Sequence, residues 1–309
     1  MKPKQQQLPR RSIYDLIVGL IRKEGIPSYV SAWERGLVPF RDLPSKGTDA
    51  EFLAALSERI VQRYHFHSRL LFDKADPVGV LTRAPSWGRK SPLIRTRVVK
   101  GGIVGIMTFY SCSFRYDRDA DIAILDKQAH AVASAVREWK GSADNAINGL
   151  IIDLRQHSGG DIYPFLVGLT DLLRGVAMYS WGTAPTTRKQ RTWEIGGSSH
   201  GLGTFTTDRL RCRFPVAVLV GPKTRSAGEA NAAMFHNKPN VKTFGQDTGG
   251  YLSGNHVMPI YGNIEIQFTS ALVTTSDGTF HEDQLIGPNV VTSRPLQDAI
   301  SWIQSSEAA

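Results

Sequence analysis

Apolar positions change their period along the chain. Ile13, Leu16, Ile17, Leu20 and Ile21 recur at three- and four-residue spacing, which predicts an amphipathic helix; Ser12 is placed to cap it, and Gly25 with Pro27 to end it. Residues 28–47 read as short pieces broken by Pro39, Pro44 and Gly47. A second helix begins after Thr48, with Glu51 three residues on as a capping box and Phe52, Leu53, Leu56, Ile60, Val61 and Tyr64 as its apolar face. Residues 12–72 therefore predict a small helical bundle, preceded by a polar, basic, disordered tail over 1–11.

Beyond residue 73 the period shortens. LIRTRVV, Gly102–Tyr110, Leu150–Leu154 and Val216–Val220 are apolar or β-branched runs bounded by turn residues, the mark of buried strands. Helical spacing returns over Asp121–Lys140, from Tyr163 to about Leu173, and after Ser226. Short strands are predicted at Val241–Phe244, Val257–Ile260, Ile264–Phe268 and Ala271–Thr274, and a closing helix at Leu296–Ile303. Strand and helix alternate through the middle, so the fold class is α/β, with 73–309 as the core. Residues 175–213 read as cap strands joined by a basic, threonine-rich loop.

The formal charge of +9 would favour acidic surfaces, but the basic residues are scattered and no nucleic-acid-binding motif is present. Arg209, Arg211 and Arg213 alternate, as on the wet face of a strand. Cys112 and Cys212 make no disulfide framework, and free buried thiols are expected. No run approaches the roughly 18 apolar residues that span a membrane. Arg10-Arg11 hints at a twin-arginine leader, but Asp15 and Arg22-Lys23-Glu24 interrupt the apolar segment. A cytoplasmic location is the default expectation, with an extracytoplasmic one open to a chain whose leader had been removed.

Four stretches carry chemistry. Ser226 follows the run Val216–Val220 through Gly221-Pro222-Lys223-Thr224-Arg225 and opens an alanine-rich helix. A hydroxyl there stands beside the free N–H groups of a helix N-terminus. Ser226-x-x-Glu229 is equally a capping box, which alone would explain the serine. The second stretch, Leu150–Asp161, is a strand leading into Gly159-Gly160, a turn that can present backbone N–H groups to an oxyanion or simply reverse the chain. The third is Tyr64-His65-Phe66-His67-Ser68; an imidazole is the usual base for activating a serine, and no zinc-ligand spacing completes a metal site. The fourth is Ser276–Glu282 ahead of Ile286-Gly287-Pro288-Asn289-Val290. There Asp277-Gly278 is a hairpin turn, and Glu282 is either a surface carboxylate or the group that orients a histidine.

Taken in order, these stretches resemble the C-terminal-processing (tail-specific) serine proteases, a family that includes the tricorn core protease and the nisin resistance protein, and the linker after His67, too short for a PDZ domain, brings the layout nearest to the latter. LIIDLRQHSGGDIYPFLVGL resembles the family's Asp-Leu-Arg-x-Asn-x-Gly-Gly strand and turn, and VAVLVGPKTRSAGEANAAMF its Thr-x-Ser-x-x-Glu nucleophile segment. FGQDTGGYLSGN resembles the Gly-x-x-Thr-x-Gly stretch, EDQLIGPNV the closing Glu-x-x-Gly-Val-x-Pro-Asp, and His67-Ser68 the His-bearing pair after the N-terminal helices. The resemblance covers about 149–290. It implies a ClpP/crotonase-like α/β core with an N-terminal helical layer and a β-rich cap. It also implies a serine peptidase with Ser226 as nucleophile, His67 as base, and Glu282 (Asp277 as the spare) orienting the base. Gly159 and Ala227 would form the oxyanion hole, and Gly160, Thr248 and Gly249 would bind substrate. No metal or cofactor is required.

Departures accompany the likeness. The position 25 residues beyond the serine, where relatives with a Ser–Lys dyad carry the lysine, is Tyr251. His157 replaces the usual Asn, Phe66 precedes His67, Leu285 replaces a glycine and Asn289 an aspartate. The expected substrate is a peptide or protein, bound partly by strand addition, with 183–192 and 249–255 as cleft walls. A cationic, ring-containing peptide would need local acidity from Asp161, Glu229 or Asp247. The alternatives are a peptide-binding or immunity protein that lost turnover, and a crotonase-like acyl-CoA enzyme. Oligomeric state is undetermined.

Overall fold

The computed structural model describes residues 8–72, 90–111, 118–141, 146–160, 162–169, 172, 214–236, 238–262, 264–271, 273–274, 280–281 and 285–306. The expected cap at 175–213 lies outside them, as do Cys112, Asp161, Cys212, Asp277 and Glu282. In chain order the helices are α1 (Arg10–Glu24), α2 (Pro27–Glu34), α3 (Asp49–Leu56), α4 (Arg118–Gly141), α5 (Tyr163–Gly168), α6 (Ala227–Ala233) and α7 (Pro295–Ser306). The strands are β1 (Arg69–Leu71), β2 (Leu93–Val99), β3 (Gly102–Thr108), β4 (Gly149–Asp153), β5 (Val216–Val220), β6 (Val241–Gly245), β7 (Gly254–Tyr261), β8 (Ile264–Ala271), β9 (Val273–Thr274), β10 (Phe280–His281) and β11 (Val290–Val291). The described chain falls into two compact units, 8–72 with 253–271, and 90–252 with 273–306.

In the first unit α1 begins two residues before the Ser12 cap that the sequence suggests, because Pro9 takes the N-cap position. The face Ile13, Ile17 and Ile21 is buried as its spacing requires. Helix α2 forms where the sequence suggested only irregular pieces; Pro27 supplies a pre-set φ at its start, and Trp33 anchors it by donating to the Ile60 carbonyl at 3.0 Å. The Thr48–Glu51 capping box of α3 is present in both directions, at 3.2 and 2.7 Å. After Leu56 the helix widens into a π turn, Ser57–Val61, before ending at Tyr64. The buried Ser57 hydroxyl accepts the Leu70 N–H at 2.9 Å and so fixes the start of β1. Strand β1 pairs antiparallel with β8, and β8 with β7. The inner faces of α1 and α3 share one core with Ile264, Ile266 and Phe268.

The second unit is built on a six-stranded sheet in the order β11-β6-β5-β4-β3-β2. All neighbours are parallel except the edge pair β2–β3. The monotonic order of β3 to β6 sends each crossover the same way, so α4, α5 and α6 share one face. There Val132, Val136, Phe165, Ala230 and Phe235 pack on Leu150, Ile152, Val216 and Val218. The alternate residues Ile151, Ala217 and Leu219 pack on Ala299, Ile300 and Ile303 of α7 on the opposite face. A strand covered on both sides has no polar face, which is why these runs read as continuous apolar stretches. Strands β9 and β10 form a short antiparallel pair bracketing the positions of the predicted Asp277-Gly278 turn.

Candidate active site

In an open parallel sheet, ligands bind beyond the carboxyl ends of the strands. Two of the sequence-predicted stretches meet there, at the ends of the neighbouring strands β4 and β5. Asp153 and Arg155, at the end of β4, form a two-toothed ion pair at 2.9 and 2.7 Å, which holds the Arg155 guanidinium pKa up. Ser158 is tied to Ser111 beyond β3 by its N–H at 2.8 Å and its hydroxyl at 2.6 Å. Gly159 and Gly160 follow at φ 117° and 111°, values that side-chain-bearing residues avoid. A Cβ on Gly159 would lie 3.0 Å from Ser226 Cβ and 3.5 Å from its Oγ, so the glycine turn sits directly against the serine.

Ser226 itself is half-buried, at φ 51° and ψ −119°. An ordinary capping residue is extended, at negative φ. This conformation costs about 1–3 kcal/mol and is the kind of sharp strand-to-helix elbow that presents a nucleophilic serine. The capping box is lopsided accordingly. Glu229 Oε2 accepts the Ser226 N–H at 2.9 Å, while the Ser226 side chain faces the Glu229 N–H in capping-box fashion without closing a full hydrogen bond. Buried Thr224 braces the elbow: its hydroxyl donates to the Leu154 carbonyl and accepts the Gly221 N–H, both at 3.0 Å, and its carbonyl accepts the Gly249 N–H at 2.9 Å.

Glu229 does more than cap. It is fully buried and accepts four hydrogen bonds: from Ser226 N–H, Tyr251 N–H (2.6 Å), Thr248 Oγ1–H (2.6 Å) and Gly250 N–H (2.6 Å). Burial raises its carboxyl pKa above the ordinary carboxylate value, and these donors offset only part of that rise. Such a carboxylate is spent on structure and adds no open negative charge to a cleft, whereas Asp247 is exposed. Thr248 likewise is buried, its hydroxyl accepting the Ile286 N–H at 2.8 Å besides donating to Glu229. Gly249 lies against Arg225, whose side chain a Cβ there would strike.

His157 is the residue that pattern reading undervalued. It is 2% exposed, and burial lowers its pKa to about 4, so the ring is neutral. Its carbonyl accepts the Arg225 N–H at 3.1 Å, its Nδ1 faces the Gly159 N–H at 3.4 Å, and its Nε2 lies 3.2 Å from Asn231 Nδ2 on α6. Gly228 is required beside it, since a Cβ there would collide with the His157 carbonyl oxygen.

His67 belongs to the first unit. The turn carrying it is clamped to β8: Ser68 Oγ accepts the Thr269 N–H at 2.9 Å, and the His67 carbonyl accepts from Gln267 Nε2 at 3.1 Å. Buried His65 presents Nδ1 to the His67 N–H at 3.2 Å and stacks on Tyr29. His67 Nδ1 lies 2.9 Å from the hydroxyl of Ser253, a 5%-exposed residue just before β7. Ser253 has no local signature in the sequence, since the contact spans 186 positions. Glu282, the orienting group that the resemblance implies, lies outside the described residues. Among the described residues no group of three or more His, Cys, Asp or Glu is placed to hold a metal ion. No described helix is long and apolar enough to cross a membrane.

Residues 101–292 match the sequence model of peptidase family S41. The chain is 34% identical over 163 residues to the nisin-resistance protein of Lactococcus lactis subsp. lactis, a match covering 52% of this chain and 51% of that protein. It is 25% identical over 191 residues to a carboxy-terminal-processing protease of Bartonella bacilliformis, covering 60% and 42%. The chain thus spans about half the length of the curated relatives it matches. A solved lipoprotein from Streptococcus agalactiae superposes with a TM-score of 0.70 at 20% identity, over 99% of both chains, a likeness of fold.

Proposed function

The chain belongs to peptidase family S41, and on that premise we propose that it hydrolyses peptide bonds with Ser226 as nucleophile and His67 as base. One observation carries this reading: within the family-matching segment, the serine occupies a strained elbow pressed against a glycine turn at the ends of two parallel strands. Ser226 Oγ attacks the scissile carbonyl while His67 Nε2 takes its proton. The same proton passes to the leaving amine as the C–N bond breaks. Water then loses a proton to His67 and attacks the acyl-enzyme, and Ser226 leaves with that proton restored. In this reading Ser253, 2.9 Å from Nδ1, orients the ring. Ala227, first in α6, has an N–H that no carbonyl within the helix can take, which suits it to the oxyanion. Of the two turn glycines, Gly159 directs its N–H at His157, so Gly160 is the better second donor. Thr248 and Gly249 serve by supporting the elbow.

For substrate we favour an extended peptide cut near its C-terminus, by analogy with the carboxy-terminal-processing relative. A bacteriocin-like peptide is suggested by the name of the other. The departures from the family pattern at Phe66 and His157 favour a second reading, a peptide-binding protein with little turnover. A fluorophosphonate probe separates the two. A working peptidase labels at Ser226, and labelling disappears in Ser226→Ala and drops in His67→Ala. Peptide cleavage by Ser226→Ala at the wild-type rate would refute the assignment.

A further inference from the structure

The His157 imidazole does here what an asparagine amide would do. An asparagine side chain readily accepts a hydrogen bond from the backbone N–H two residues on, closing an Asx-turn. Histidine Nδ1 hangs from Cγ just as asparagine Oδ1 does, so it lies the same number of bonds from the backbone. Here it faces the N–H of Gly159, two residues on. The imidazole then reaches one atom row further than an amide can, and Nε2 meets Asn231 on α6.

We propose that His157 is a positioning residue for the oxyanion turn: an imidazole Asx-turn in its Nε2–H form, locking Gly159 in place through Nδ1 and tying that turn to the serine's helix through Asn231. The inference rests on the assignment of Ser226 as nucleophile. Three observations converge on it. First, a neutral ring has one donor and one acceptor nitrogen. With Nδ1 accepting from Gly159, the proton sits on Nε2, so the Asn231 atom opposite must be the amide oxygen. Which end of an amide faces a partner follows from the network around it; turned this way, Asn231 Oδ1, which otherwise has no donor, accepts from Nε2–H, and the amide nitrogen takes its former buried place. Second, the His157 carbonyl takes the Arg225 N–H at 3.1 Å, so one residue is bonded to the glycine turn, to the serine elbow and to α6. Third, the ring is buried and neutral, and an uncharged latch does not oppose or attract the charge that forms on a substrate oxygen.

The experiment compares side chains of graded reach by the rate of fluorophosphonate labelling at Ser226, since the probe's phosphoryl oxygen occupies the oxyanion hole. His157→Asn restores the short acceptor and should label within about three-fold of wild type, although its melting temperature falls because Asn231 loses its partner. His157→Gln carries the same amide one methylene too far out and should label on the order of 100-fold more slowly, as should His157→Leu. Equal rates for the Asn and Gln variants, or a wild-type rate for the Leu variant, would overturn the proposal. If the wild-type protein failed to label at Ser226, the nucleophile assignment would fall instead. A measurement that needs no variant is the 15N spectrum of the His157 ring: the Nε2–H form is expected near neutral pH, and the Nδ1–H form would sink the idea.

Discussion

Replacing Glu229 with glutamine keeps the shape of the side chain and removes half of its accepting capacity. In the native protein Oε2 accepts from Ser226 and Tyr251 and Oε1 from Thr248 and Gly250. The amide's best placement points its oxygen at the two N–H groups of Ser226 and Tyr251 and its nitrogen at Thr248 and Gly250. The Thr248 hydroxyl can rotate to accept, but the Gly250 N–H is left facing another N–H. A stranded buried donor costs about 1–3 kcal/mol, and turning charge-assisted bonds into neutral ones costs about 1–2 kcal/mol more. Removing a charge whose burial already raises its pKa offsets part of this. The net expectation is a loss of about 2–4 kcal/mol, which at roughly 2–4 °C per kcal/mol lowers the melting temperature by roughly 5–15 °C. Below that temperature the folded variant should still label more slowly at Ser226, because the elbow has lost its tie to residues 248–251. Thermal unfolding with parallel probe kinetics reads both effects. A Glu229→Gln protein that melts within a degree of wild type and labels at the same rate would show that the four bonds contribute nothing to the elbow.

Gly228→Ala drives a methyl group into the His157 carbonyl and should destabilise the protein by about 1–3 kcal/mol while slowing labelling, as denaturant titration and probe kinetics would show. Ser253→Ala removes the partner of His67 Nδ1; kcat should fall about 10-fold with KM nearly constant, and an unchanged kcat would assign the orienting role to another group. Stability should also track pH through His157. Its folded pKa of about 4 lies below the ordinary value of 6.5, so the unfolded chain binds the extra proton first as pH falls. The contribution is whole above about pH 6.5, and about 3 kcal/mol is lost by pH 4. In His157→Asn this part of the acid slope should vanish from denaturant midpoints measured between those limits.

Much of the architecture is written locally. Val216–Val220 and Leu150–Leu154 announce buried strands because their two covered faces demand unbroken apolar runs. Thr48 and Glu51 announce a helix start because both partners of the box lie within one turn. The placement of Ser226 at a strand-to-helix junction and of Gly159-Gly160 at a strand end was legible for the same reason. Helix α2 and strand β1 were not. The first depends on the Trp33–Ile60 contact, and the second on pairing with a strand nearly 200 positions away. The sequence could nominate Ser226 as a cap or as a nucleophile, but not the positive φ at which its backbone is held. It could nominate His67, but not Ser253 beside it. It could list Glu229, His157 and Asn231, but not that they join the elbow, the glycine turn and α6. Short-range hydrogen bonds and periodic burial leave a trace in residue order; contacts between distant segments, and the strain they hold in place, exist only once the chain has closed on itself.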